Sequence, residues 1–191
     1  MSRLGAEPAA LRKAFRLNIS NETRSAVSVT VRWELRDPYA RVLRSGGFEN
    51  VLVPALSAVW MEEVDCSDAL YRENYVSYSC VLDGDVSAPA AAVEACDHRP
   101  GLQSNPLSSG TALFVPPKQF KFADPHLRVH AEEDEIVVEA DAYARAVEIS
   151  NARDDLVLSD NFFDRNAGVV RVKILRGTPD GLRVRSVYDI R

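Results

Sequence analysis

LFVPPKQFKFADP, residues Leu113 to Pro125, is the stretch on which the architecture of this chain turns. Leu113, Phe114 and Val115 form a short β-prone apolar run after the turn residues Ser108 to Gly110. Pro116 and Pro117 stop it, because neither ring has an N–H for a ladder and each fixes φ near −65°. Phe120 and Phe122 stand either side of Lys121 in an extended piece, and Asp124-Pro125 is a second breaker. A strand, a double proline, an aromatic pair and an Asp-Pro predict a stiff joint between two folded units. The spacing places these units at residues 1–117 and 118–191, each of ordinary domain size. The alternative is a last strand followed by an ordinary loop within one large sandwich.

Outward from the joint, the pattern is β throughout. Phe15, Leu17 and Ile19 alternate with Arg16, Asn18 and Ser20. Then Val27, Val29, Val31, Trp33 and Leu35 face one way while Ser28, Thr30, Arg32, Glu34 and Arg36 face the other. That is a half-buried antiparallel strand, turned by Asp37-Pro38. Val42-Leu43 predicts a third strand ended by Gly46-Gly47, with Val51 to Pro54 a separate extended piece and Ala58 to Val64 a fourth strand. Tyr75 to Leu82 alternates again, with Val76, Tyr78, Cys80 and Leu82 on one face. Residues 1–13 read as a frayed lead-in, and 84–110 as a mobile loop inserted between two strands.

Beyond the joint the runs are shorter. Leu127–Ala131, Ile136–Ala140, Ala144–Ser150, Leu156–Leu158, Val170–Ile174 and Leu182–Tyr188 each carry the alternation, separated by acidic or glycine-containing turns. Strands at this spacing are the pattern of an immunoglobulin-like sandwich. The expected fold is all-β, two immunoglobulin-like antiparallel β-sandwich domains in tandem.

A net charge of −5 is spread evenly, with 11 basic and 14 acidic side chains up to residue 117 and 12 and 14 after it. Neither half is a nucleic-acid surface. No apolar run approaches a membrane span, and no secretory leader is visible. Cys66, Cys80 and Cys96 are odd in number and without CxxC spacing, so reduced thiols and a cytoplasmic location are expected.

Catalytic and metal constellations are weak. His126 and His130 are four apart, which on a strand separates them by about 13 Å. Asp164, Asn166 and Gly168 echo part of a calcium loop, but residues 169–177 supply no acid, and an Asx-rich turn is the plainer reading. Glu62, Glu63, Glu132 and Glu135 are the candidate carboxylates; neighbours on a strand point to opposite faces, and 132–135 is a solvated turn. No cofactor is expected, and the free chain reads as non-catalytic. Trp33 and Trp60 are the candidates for an exposed sugar-stacking ring; Trp33 falls on the apolar face of its strand and reads as core.

At LFVPPKQFKFADP, YARAVEIS, SDNFFD and the closing LRVRSVYD, the chain resembles the C-terminal portion of β-mannosidases of glycoside hydrolase family 2. FRLNISNET, VSVTVRWELRD and VLVPALSAV match the fourth domain of that family, and residues after Phe120 the fifth. Three features depart from it: the loop 84–110 is long, RNAG follows SDNFFD, and the fourth domain's first strand is missing or replaced by residues 1–10. The resemblance implies an accessory, non-catalytic pair of sandwiches packing on a (β/α)8 barrel that carries two catalytic glutamates, none of which lies in this chain. Two other readings remain open: a stand-alone module binding mannan-type carbohydrate or a protein, and the equivalent region of a family 2 exo-β-glucosaminidase. The candidate interface residues are Pro116, Pro117, Phe120, Phe122, Asp160, Asn161, Phe162 and Phe163. Phe162 and Phe163, being consecutive, must point to opposite faces unless the backbone bulges.

Overall fold

Period-two alternation is realised in two sets of sheets. The computed structural model describes residues 13–83 and 106–190. The expectations for the lead-in and for most of the 84–110 loop, Cys96 and His98 included, therefore lie outside the described residues.

The first set comprises β1 (Ala14–Phe15), β2 (Asn18–Asn21), β3 (Val27–Arg36), β4 (Val42–Val53), β5 (Ser57–Trp60), β6 (Val64–Asp65), β7 (Tyr75–Leu82) and β8 (Ser108–Leu113). One antiparallel sheet runs in the order β4-β3-β7-β8. Facing it, β2-β5 and β1-β6 form one ribbon in two stretches, continued by Met61 N–H to the Leu17 carbonyl at 2.9 Å and Cys66 N–H to that of Lys13 at 2.8 Å. Val29, Val31, Trp33 and Leu35 bury the inner side of β3, and Phe15 from the ribbon meets the Trp33 ring edge-on at 5.4 Å. Each such side chain contributes about 1.5–3 kcal/mol on leaving water. On the outer side of β3, Ser28 and Thr30 donate hydroxyls to Asp83 at 2.6 Å each, which holds that carboxyl below its ordinary pKa.

The second set is β9 (Arg128–Glu132), β10 (Glu135–Ala140), β11 (Ala144–Ser150), β12 (Val157–Leu158), β13 (Phe163–Arg165), β14 (Gly168–Arg176) and β15 (Arg183–Arg185). Sheet β12-β14-β10-β9 packs on β13-β11-β15 around Ile136, Val138, Val147, Ile149, Val170 and Val172. Among the described residues there is no α-helix, and every ladder lies wholly within residues 14–113 or within 128–185.

Four strand expectations need correction. Gly46-Gly47 does not end a strand: both lie inside β4, where a Cβ on Gly46 would stand 2.5 Å from the Trp33 indole and one on Gly47 2.7 Å from the Val31 carbonyl oxygen. These glycines admit a large ring and a close backbone rather than a turn. Ser108 to Gly110 is not a turn; these residues pair with Cys80, Ser79 and Tyr78, and the strand stops at Leu113 instead of Val115. The predicted strand Ala58–Val64 is interrupted after Trp60, and Met61 is buried. The last strand closes at Arg185, because Asp189 accepts from the Ser186 N–H at 2.7 Å and winds Val187–Ile190 into a 3-10 turn.

The packing at the glycines separates two outcomes. Gly46→Ala should cost about 1–3 kcal/mol, since a buried indole has no room to retreat. Gly110→Ala should cost less, since its Cβ meets the far end of the half-buried Tyr78 side chain at 2.6 Å. Denaturant midpoints of the two variants check the ranking.

Candidate functional site: a buried seam and an exposed tryptophan face

Tyr75 starts β7 on the opposite face from Val76, Tyr78 and Cys80, so its ring leaves the first core and stands on the outer side of the four-stranded sheet. The ring is nonetheless fully buried. Tyr143, just before β11, stacks on it with centroids 3.9 Å apart, and Phe120 and Phe122 close around the pair. Leu113, Val115, Val187 and Tyr188 complete the cluster. A further apolar cluster thus lies between the two sets of sheets, apart from the core of each, fed by both and by the joint itself.

Polar groups clip its rim. The Tyr75 hydroxyl donates to Asn166 Oδ1 at 2.7 Å. Thr111 Oγ1 and the Tyr143 hydroxyl share a 2.6 Å hydrogen bond, and Thr111 donates in turn to Asp164. Asp164 also accepts the Ala146 N–H at 2.9 Å. Main-chain bonds cross as well: Tyr143 N–H to the Pro38 carbonyl at 3.0 Å and Lys121 N–H to that of Arg72 at 2.7 Å. Beneath Tyr75, the buried Arg36 donates to Ser77, Glu34 and the Ala40 carbonyl, which fastens the β3–β4 turn that presents Pro38. Burial pushes both phenols well above the ordinary tyrosine range; the neighbouring Tyr143 and Asp164 add to this at Tyr75 and Tyr143 respectively. They stay neutral donors.

The sequence-derived candidates divide accordingly. Phe120 and Phe122 are buried in the seam, 4.7 Å apart. Pro116 and Pro117 are exposed; Pro116 is extended and Pro117 opens a 3-10 turn to Gln119. Phe163 packs into the second core, whereas Phe162 is 63% exposed with a positive φ of 63°. Asp160 is exposed, and Asn161 bonds both the N–H and the carbonyl of Ile149, at 2.8 and 2.9 Å. Asp164 and Asn166, read in sequence as an Asx-rich turn with an echo of a calcium loop, accept hydrogen bonds across the seam from Thr111 and Tyr75. Tyr75, Thr111 and Tyr143 were not singled out; the available signal was a tyrosine on the wet parity of an otherwise clean alternation.

The other chemical candidates stay apart. Among the described residues no three His, Cys, Asp or Glu side chains gather as a metal group. His126 lies against Asp124 and Asp141, and His130 against Glu132 at 3.0 Å. Glu132 also pairs with Arg171 in an open acidic turn, and Glu62 and Glu63 are exposed. Trp33 is 7% exposed and Trp60 61%. The Trp60 ring lies on the outer face of the ribbon opposite Asn18, with the Arg16 guanidinium 5.4 Å from its centroid.

The profile of the mannosidase Ig/CBM-like domain matches residues 13–119, and that of an Ig-fold domain residues 122–190. The chain belongs to the mannosidase Ig/CBM-like family. A β-D-mannosidase from Dictyoglomus thermophilum is similar in structure, at a TM-score of 0.59 and 13% identity over 92% of this mannosidase-type chain. An exo-chitosanase from Amycolatopsis orientalis is similar at 0.53 and 11% over 90%. Such identities carry the fold alone. This mannosidase-type chain spans 21% and 25% of the lengths of those two proteins. No curated protein sequence matches it.

The seam makes two expectations. In a double-mutant cycle, Thr111→Val and Asp164→Asn should couple by about 0.5–3 kcal/mol, because the two groups share one hydrogen bond; additive losses in denaturant unfolding would remove the bond from the account. The phenols are held protonated in the folded state, so their stabilisation is full below about pH 10, the unfolded tyrosine pKa, and is lost as pH rises beyond it. A Tyr75→Phe, Tyr143→Phe variant should lose stability less steeply above that pH in thermal melts.

Proposed function

We propose that this chain is the non-catalytic C-terminal accessory region of a β-mannosidase-like hydrolase of glycoside hydrolase family 2, packing on and stabilising a catalytic (β/α)8 barrel. The observation that carries the reading is the asymmetry of coverage: a β-D-mannosidase accounts for 92% of this chain while the chain accounts for 21% of that enzyme. Two sandwiches fused by a buried aromatic seam suit a rigid buttress, since a flexible tandem would transmit little stability to a neighbour. The parent activity would be hydrolysis of terminal β-D-mannose residues. An exo-β-glucosaminidase parent is the second reading, favoured by the exo-chitosanase likeness over 90% of the chain. Phe162 is the proposed docking contact. An aromatic side chain held at positive φ and left exposed is a local cost that a covering neighbour would offset.

The chain alone should not hydrolyse nitrophenyl β-mannoside or β-glucosaminide above buffer, because retaining hydrolysis needs two carboxyls about 5–5.5 Å apart in a substrate pocket. Turnover abolished by changing Glu62 or Glu63 would overturn the accessory reading. Mixed with the separately produced barrel portion of its parent enzyme, the chain should raise that portion's melting temperature, and Phe162→Ser should reduce the gain. Which of the two nitrophenyl substrates the complex cleaves identifies the parent.

A further inference from the structure

The outer face of the β2–β5 ribbon carries a second set of recognition chemistry, remote from the seam. Trp60 is 61% exposed, although an indole is the side chain with the most area to gain by burial. Its surroundings explain why it can stand open. Asn18 is directly opposite, Ala58 precedes it on the same side of β5, and Ser20 faces Ala58. These residues are small or polar, so no apolar neighbour covers the ring. Arg16 stands over one face of it: its Nε donates to the Met61 carbonyl at 3.1 Å, and the guanidinium lies over the ring, 5.4 Å from its centroid. That bond uses Nε and leaves the two terminal nitrogens without a partner among the described residues. Asn18 donates to the Val59 carbonyl at 3.3 Å and takes the Ser20 hydroxyl at 3.2 Å, which fixes its amide on the strand position opposite Trp60.

We infer that this face is a binding platform for a neutral β-linked pyranose oligomer, with Trp60 stacking one sugar ring on the indole face away from Arg16, and Arg16 and Asn18 bonding its hydroxyls. A β-pyranoside of gluco or manno configuration presents axial C–H groups on one face and hydroxyls around its rim. The first suits the electron-rich indole face; the second suits the guanidinium donors and an amide on the paired strand position. A protein partner would want a wider apolar patch than one indole among Ala58, Asn18 and Ser20. The cation held over the ring disfavours an amino sugar carrying its own positive charge. The choice of mannose as the probe sugar rests on the functional reading above; the platform itself does not.

The chain's two tryptophans make the test direct, because Trp33 is buried and Trp60 alone meets solvent. The full chain is titrated with β-1,4-mannohexaose while tryptophan emission and acrylamide quenching are followed. The expected result is a saturable shift in emission with Trp60 protected from quencher. Trp60→Ala should weaken retardation in mannan-containing native gels about tenfold or more, and Arg16→Ala should weaken it to a lesser degree. The variant's fold is checked by an unchanged Trp33 emission and melting temperature. A fully protonated β-1,4-glucosamine hexamer should bind more weakly than mannohexaose. Absence of any saturable change, retardation that survives Trp60→Ala, or tighter binding of the amino sugar overturns the proposal. None of those results touches the accessory reading, which stands or falls on the barrel experiment.

Discussion

Two tyrosines stacked at 3.9 Å between the sheets hold this molecule in one arrangement. Tyr75 belongs to a sheet of the first unit and Tyr143 to the entry of a strand in the second, and neither ring touches solvent. Burying two phenols is tolerable because both hydroxyls are bonded at the rim. The stack also decides what the joint does. Phe120 and Phe122 fold back onto the rings, so the linker becomes part of the core it spans.

Around the stack, the backbone of the second unit is shaped to deliver its ligands. Strand β11 breaks register against β13 between Ala144 and Val147, and Ala146 takes a positive φ of 49° there. Asp164 accepts the N–H that this bulge exposes while also holding Thr111 of the first unit. Three residues further along β11, Asn161 replaces a strand partner by bonding both polar groups of Ile149. That substitution frees the chain to turn through Phe162 and send Phe163 inward. A single irregular edge therefore serves the second core, the seam and the exposed aromatic at once.

The two surfaces left over have different chemistry. Phe162 is an isolated apolar ring on a strained backbone, a feature suited to being covered by a neighbouring domain. Trp60 sits on a flat ribbon among hydrogen-bonding side chains, a feature suited to a small polar ligand that must also be stacked. Both lie outside the seam, so the unit can be rigid within and still present two faces.

The mannosidase-type resemblance was carried by short motifs, LFVPPKQFKFADP and SDNFFD among them. The all-β class and the alternation of β3, β7 and β10 were legible instead because period-two patterning is a local property: a residue's parity fixes its face whatever the partner strand is. The aromatic pair at Phe120 and Phe122 was legible for the same reason. The same parity placed Tyr75 on the wet side of β7, and from there local reasoning could go no further, since what covers that side is a tyrosine 68 positions away. Gly46 and Gly110 read as turn formers because sequence registers their missing side chain but not the Trp33 and Tyr78 rings that occupy the space. Asp164 and Asn166 read as turn or calcium residues because their donors, Thr111 and Tyr75, belong to the other unit. Sequence settled which way each side chain points along its own strand; tertiary packing alone decided what it meets, because contact between distant segments depends on register and docking that no local spacing encodes.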